Sequence, residues 1–365
     1  MASVLDLRRR IRSVKSTRQI TKAMKMVSAA RLRRAQARAM AARPYAQMIT
    51  SVLVSLIKRI EIIDPETGNL RHPLFAVRPE KRVLLIVVSG DRGFAGAFNS
   101  NILKAGFQFI GGATNEESGK EIDVESVGRK ATEAFRRRYP AAVYNEQQVE
   151  NPADGHQITE KVRERKGGIE VVGDHLGLLE KLSVESVFDI AQDVIKRYVH
   201  EEIDACYVVY NEFKSVIQQR VVVERLLPLI EIGKHDVAAS IEPTKEEREE
   251  AAQAALSAGV PLNEADSKEA DEEASKFGTA EVDYIYDESP EELFNGLLPQ
   301  YVSAMLFHAM AESVAAEHAA RMTAMDSATN NASEMIDSYT LQMNRLRQAA
   351  ITKEIIEIVS GAAAV

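Results

Sequence analysis

Residues 300–360, QYVSAMLFHAMAESVAAEHAARMTAMDSATNNASEMIDSYTLQMNRLRQAAITKEIIEIVS, contain neither glycine nor proline. Within them Ile336, Tyr339, Met343, Leu346 and Ala350 step by three and four, the spacing of an apolar stripe on a long helix. At ~1.5 Å per residue the run spans about 90 Å. Its start is marked upstream by Ser289-Pro290-Glu291-Glu292, where serine caps, proline takes the first helical position and glutamate reaches back. Pro299 predicts a bend or restart, and Gly361 ends the pattern. A helix of this length is stable in water only when its apolar stripe is covered.

The other end of the chain supplies the cover. Residues 3–43 also lack glycine and proline, with apolar residues at helical steps (Leu7, Ile11, Val14, then Ile20, Met24, Val27). The pattern resumes after Pro44 and continues from Tyr45 to Ile63, which predicts one helix kinked near Pro44 and ended by Pro65 and Gly68. One helix enters the middle of the chain and the other leaves it, so paired side by side they run antiparallel. The C-terminal helix is the longer, and its tip should project past the N-terminus.

The middle alternates strand and helix signals. Arg82-Val83-Leu84-Leu85-Ile86-Val87-Val88-Ser89 has the continuous apolar character of a strand buried on both faces. A helix is expected near Phe98–Ile110, a strand at Ile122–Val127, helices at Arg129–Arg138 and Val184–His200, and strands around Cys206 and over Gln219–Leu227. These elements predict a small doubly wound, Rossmann-like α/β domain inserted into an antiparallel two-helix coiled coil. The expected organisation is a first coiled-coil helix over 1–64, the globular domain over 76–239, an acidic insert over 240–278 that is a helical hairpin or flexible, a return to the globular domain over 279–288, and a second coiled-coil helix over 289–365. In the insert, Thr244-Lys245-Glu246-Glu247 is a capping box with Gly259 as its stop. The polar, glycine-rich stretch 145–180 yields no assignment.

Charge is unevenly laid out. Residues 1–43 hold thirteen Arg or Lys and one acid, Asp6, whereas residues 242–273 hold eleven acids and three basic residues, within a net charge of −8. The basic residues ring the first helix, with no aromatic interleaving, which fits an acidic protein collar or phosphates around a rod; nucleic acid is the rival reading and predicts steeply salt-dependent binding. Cys206 is the only cysteine, so no internal disulfide forms, and its apolar surroundings predict a buried, inert thiol. No apolar run approaches the ~20 residues that span a bilayer. The N-terminus lacks the apolar core of a secretory signal; a basic, acid-poor transit peptide is the alternative, set against by a helical pattern that runs on without a break.

No catalytic constellation is legible. The turn Ser89-Gly90-Asp91-Arg92-Gly93-Phe94-Ala95-Gly96-Ala97 sits where a phosphate-binding turn belongs, but its spacing is not GxGxxG, no P-loop Lys-Ser/Thr follows, and Asp91 would repel a pyrophosphate. None of the seven histidines has a His or Cys at metal-ligand spacing. The expectation is no active site, cofactor or metal; an α/β enzyme with a pocket at Gly90–Gly96 is the competing class. Beyond Arg345–Glu354, residues Ile355, Ile356, Ile358 and Val359, with Ala362–Val365, cover the helix almost all round. Such a tip calls for a surrounding sleeve.

Several of these segments resemble one family. Ile351-Thr352-Lys353-Glu354-Ile355-Ile356-Glu357-Ile358-Val359-Ser360-Gly361-Ala362-Ala363-Ala364 resembles the signature of the gamma subunit of rotary F-type ATP synthase. Arg321–Ala332, Ile20–Val27 and Ser89–Asn99 are similar to the same family in the same order. The resemblance implies a non-catalytic central-stalk rotor. Its coiled coil would stand inside the ring of alpha and beta subunits, and its α/β domain would contact epsilon and the proton-driven c-ring. It would be peripheral to the membrane, on the cytoplasmic face of a bacterial inner membrane, with no nucleic acid partner. By position, the resemblance implies that Arg347 and Gln348 grip a loop of the catalytic subunit. Met24 and its neighbour Lys25, Arg321, Thr352 and Glu354 bear on coupling. Ile355, Ile358, Val359 and Val365 belong to an apolar bearing. The insert exceeds the compact bacterial pattern and lacks the plastid cysteine pair; surface decoration is its expected role, with a brake on rotation or a contact for epsilon as the alternatives.

Overall fold

The computed structural model describes residues 3–57, 72–113, 119–150, 157–260 and 289–362. Val365, the end of the first helix beyond 57, the insert beyond 260 and the return at 279–288 lie outside these.

Helix α1 (Val4–Ile57) and the C-terminal helix, which is α6 in the labels used here (Pro290–Ala362), pack along each other. Cross-contacts fix the direction. Thr21 faces Thr329, Lys25 faces Asp326 and Tyr45 faces Gln300, so numbers rise on one helix as they fall on the other. Both helices run across their internal prolines, Pro44 and Pro299, and α6 does not restart. At ~1.5 Å per residue, α6 is about 110 Å long and α1 about 80 Å.

The buried side of α1 follows an alternating four-and-three step: Leu7, Ile11, Val14, Arg18, Thr21, Lys25, Ser28 and Leu32 are all buried or half-buried. The apolar set Ile20, Met24, Val27 lies one step off this seam. Ile20 and Val27 are exposed and Met24 only half-buried. Polar Thr21, Lys25 and Ser28 take the seam instead, which hydropathy alone could not have selected.

Between the helices lies a six-stranded sheet in the order β5-β2-β1-β6-β7-β8, formed by β1 (Arg82–Val88), β2 (Glu121–Val127), β5 (Ile169–His175), β6 (Ala205–Phe213), β7 (Gln219–Leu227) and β8 (Asp236–Ile241). The first four in spatial order are parallel and the last two antiparallel. β1 is central, and its side chains divide cleanly, as the pleat requires. Leu84, Ile86 and Val88 enter a core with helix α4 (Val184–Val199), the lower part of α1 and Phe294–Ala311 of α6. Val83, Leu85 and Val87 enter the opposite core with α2 (Phe98–Ala113), α3 (Arg129–Arg138), Leu32 of α1 and Ala315–Met322 of α6. The two long helices therefore contribute to both cores. Cys206 is fully buried and its thiol is pushed up by burial, nearby Glu125 adding to the effect.

The unassigned stretch contains a hairpin, β3 (Val143–Glu150) with β4 (Gln157–Glu164), followed by β5. Ion pairs of Arg163, at the end of β4, tie it to the sheet. Arg163 reaches Asp123 at 2.5 Å and Glu170 at 2.7 Å, and Arg197 reaches Asp123 at 2.7 Å. Burial pushes the Glu170 carboxyl up, but hydrogen bonds from Arg163 and from the amides of Lys166 and Gly167 outweigh it and hold it below the usual range. A carboxyl lowered by folding contributes stability above its unfolded value, lost as pH falls through its folded value. Urea titrations at a series of pH values should therefore show stability falling below about pH 4.5, less steeply in Glu170→Gln. An equal slope in the variant would contradict the assignment.

Candidate functional site

The residues singled out by sequence fall into two groups, one inside the shaft and one at its free end. Lys25 and Asp326 form a buried ion pair across the seam, each residue 8% exposed, at 2.6 Å. Lys25 Nζ also donates to Ser257 Oγ at 2.6 Å. Ser257 belongs to helix α5 (Lys245–Ala258), whose capping box is formed by Thr244 and Glu247 and whose stop is Gly259 in a left-handed conformation. The first part of the insert is therefore a third helix against the shaft. It buries Ala251, Ala254, Ala255 and Ala258, and Arg33 of α1 donates to the Gly259 carbonyl at 2.5 Å.

Arg321 lies one helical turn and a residue below Asp326 and is also buried. Its guanidinium donates to Glu317 Oε1 at 2.5 Å and reaches the Gly93 carbonyl at 3.4 Å. Glu317 Oε1 lies 2.6 Å from where a β-carbon would stand on Gly90, so glycine there lets the carboxylate close on the turn. The Gly90 amide donates to Asn99 Oδ1 at 2.9 Å. Asp91 Oδ1 accepts from the amides of Arg129 and Gly177 at 3.0 and 3.1 Å. At the carboxyl end of β1, where a doubly wound fold seats a phosphate, the turn thus packs against Glu317 and Arg321 of α6, and beside it lies a cavity of about 430 Å³ lined by Arg31, Arg34, Arg38, Asp91, Arg92 and Arg321. His318, beside Arg321, is pushed down to about 4 by burial and by the positive charges of Arg321 and Arg31. It is neutral near pH 7. Among the described residues no group of three His, Cys, Asp or Glu could hold a metal ion, and no helix is long and apolar enough to cross a membrane.

The free end differs in every respect. Extending the register of the Thr21–Thr329 and Lys25–Asp326 contacts brings Ser3 opposite the neighbourhood of Arg347, so beyond that point none of the described residues of α1 lies beside α6. Arg347, Gln348, Thr352 and Glu354 are all exposed, and the Thr352 hydroxyl donates only to its own helix, at Gln348 O (2.9 Å). Ile355, Ile356, Ile358 and Val359 are exposed on successive faces, Ile358 at 70%. The arrangement is a stiff rod with an apolar end and a polar collar beneath it.

Asp326, Glu317, Gly90 and Ser257, the partners of the singled-out residues, were not legible as such. Only the four-residue spacing of Glu317 and Arg321 gave a local hint.

Comparison with known proteins agrees over the whole length. The ATP synthase family pattern matches residues 3–365. The ATP synthase gamma chain of Solibacter usitatus is 43% identical over 364 residues, covering 100% of this chain and 99% of that one. The gamma chains of Pelotomaculum thermopropionicum and Trichlorobacter lovleyi are 38% and 40% identical over 100% and 99% of this chain, and 99% and 98% of theirs. Among solved structures, a chain of the Euglena gracilis mitochondrial ATP synthase (OSCP, F1 and c-ring, rotational state 3) shares the fold at a TM-score of 0.50 and 16% identity, covering 99% of this chain and 94% of that chain.

Proposed function

The chain belongs to the ATP synthase gamma-chain family, and from that premise we propose that it is the non-catalytic central shaft of a bacterial F-type ATP synthase. The α/β domain would rest on the c-ring and epsilon. The antiparallel helices would stand inside the alpha–beta ring, and rotation of the foot would present changing faces of the shaft to each catalytic subunit. The observation that carries this reading is the end of α6, apolar on successive faces and exposed among the described residues. Leaving that much apolar surface in water is costly unless a sleeve covers it. Ile355, Ile358, Val359 and Val365 would turn in that sleeve, with Arg347, Gln348, Thr352 and Glu354 making the contacts below it.

Those contacts suit a part that must slip. They are exposed, so each is worth little and breaks readily, unlike a buried pair. The exposed basic residues of α1 would face an acidic segment of the catalytic subunit, with apolar Ile20, Met26 and Val27 beside them on the outside of the shaft. Met24, Lys25 and Arg321 would act from inside, setting the stiffness and shape of the faces the ring reads. Peripheral attachment on the cytoplasmic face of the inner membrane follows from the same assembly.

Deleting residues 351–365 tests this reading. The truncated chain alone should keep its thermal midpoint within about 2 °C. Proton-driven ATP synthesis by the reconstituted complex should fall at least about fivefold, the equivalent of ~1 kcal/mol of lost coupling. Full synthesis by the truncated complex would remove the sleeve from the mechanism. Co-purification of the intact chain with a nucleotide-hydrolysing hexamer, rather than salt-sensitive retention on nucleic acid, separates this from the nucleic-acid reading.

A further inference from the structure

At the antiparallel edge of the sheet, two nearly buried carboxylates meet the shaft. Glu224 on β7 and Glu312 on α6 each have side chains 8% exposed. The ionic partner of each is an imidazole. His235 Nδ1, in the turn between β7 and β8, lies 2.5 Å from Glu224 Oε1, and His308 Nε2 lies 3.1 Å from Glu312 Oε1 one helical turn away. The two rings are 6.2 Å apart. Tyr210 on β6 donates to the other oxygen of Glu224 at 2.7 Å, and burial with the charges of Glu224 and Glu312 pushes its hydroxyl far up. The two acids thus share one negative field.

Other charges nearby do not relieve it. Glu212 on β6 adds to the field at His235, and its own partner is Arg220. Lys234 pairs with Glu231, and Arg225 with Asp236 and Glu80. From α1 the facing groups are the uncharged Gln47 and Thr50, and from α4 the apolar Val184 and Phe188. Glu312 Oε2 and Ser313 Oγ are buried with no hydrogen-bond partner. A lysine or arginine would neutralise such carboxylates at any physiological pH. An imidazole does so only while it holds its second proton.

The same turn fastens the domain to the shaft. The Gly233 amide donates to the Tyr301 hydroxyl on α6 at 2.9 Å, and Ile232 is buried in the core that includes Tyr301 and Val302. We propose that the His235–Glu224 pair forms a proton-operated latch, which holds the β7–β8 turn down on β7, where Gly233 meets α6, while the His235 imidazole is charged and loosens the turn as it loses its proton. The sign follows from His235. Its bond to Glu224 raises its proton affinity against the opposing effect of burial, with the charges of Glu224, Glu312 and Glu212 adding to the rise. A histidine raised by folding contributes stability that is complete below its unfolded value and lost as pH rises through its folded value. The latch is closed in mild acid and open in mild alkali. This inference concerns the chain itself and holds whether or not the assembly proposed above is correct.

Amide hydrogen exchange of the full chain tests it, read by mass spectrometry on residues 228–241 and corrected for the intrinsic pH dependence of exchange, with β1 as internal reference for global unfolding. Opening of this segment, relative to β1, should be about five- to tenfold more frequent near pH 8.5 than near pH 6. In His235→Gln the ratio should fall to about one. If that variant has lost protection of β1, Glu312→Gln, which keeps the shape and removes one charge, should still lower the ratio. A wild-type ratio of one, or an unchanged ratio in the variants, would overturn the latch.

Discussion

Lys25→Met should lower the stability of the chain by about 3–4 kcal/mol, read as a lower urea midpoint with an unchanged slope. The loss is large because the substitution leaves Asp326 charged, 8% exposed and facing an apolar side chain. A buried charge stripped of its partner costs far more than the pair contributed. Asp326→Leu alone should cost a similar amount by stranding the ammonium. The double variant Lys25→Met/Asp326→Leu should recover most of it, since an apolar pair of similar volume is often neutral or better. Ser257→Ala should cost about 1 kcal/mol, the value of one hydrogen bond to a charged group shared with a second acceptor. The cycle gives a coupling energy of the sign and size expected for direct contact. If the single losses simply add in the double variant, the pair is not the buried contact described. A single transition is expected, because α1 and α6 contribute to both hydrophobic cores and cannot separate without opening the sheet.

This pair also marks where sequence reading stops. Strand β1 is legible because seven consecutive apolar or stem-bearing residues, Arg82–Val88, can only be a strand covered on both sides. The helix signals at Ser289–Glu292 and Thr244–Glu247 are legible because capping is local chemistry. β8 is not, because its residues are nearly all exposed on the sheet edge and carry no apolar alternation. β3 and β4 are not, because they pair with each other in a polar hairpin held to the sheet by Arg163 and Arg165 on Asp123. β5 hides a fully buried Glu170 whose arginine partner cannot be inferred from spacing alone. Hydropathy misphases the seam of α1 at Ile20 for the same reason. Hydropathy prefers isoleucine and valine inside, yet Lys25 and Thr21 go in because Asp326 and Thr329 meet them there. Of the site residues, the apolar tip is readable from composition. Met24, Arg321, Arg347, Gln348, Thr352 and Glu354 stand out only through family resemblance, since nothing in their spacing separates them from other residues of a long helix.

Gly128→Ala should destabilise the chain by about 3–5 kcal/mol, among the largest effects of any single methyl group in it. Two independent costs combine. Gly128 has φ of +89°, a conformation that residues bearing a β-carbon rarely adopt. An added β-carbon would also lie 2.0 Å from the Ser89 carbonyl oxygen, which is backbone and cannot swing aside. The position is pinned from both directions. The Ser89 amide donates to the Val127 carbonyl at 2.9 Å, and the Ala131 amide donates to the Ser89 hydroxyl at 2.7 Å, so β1, β2 and the start of α3 meet there. Relief requires moving β1 away from β2, the central parallel pair of the sheet. The same movement would drag Gly90 and the turn that Glu317 and Arg321 hold against the shaft. Gly111→Ala is the matched control. Gly111 lies in α2 with nothing within 4 Å of a β-carbon, so alanine should be neutral or stabilise by up to about 1 kcal/mol. Equal urea midpoints for the two variants would mean that β1 and β2 are not held at the separation described. The turn between them would then be too loose to carry torque from the domain into the shaft.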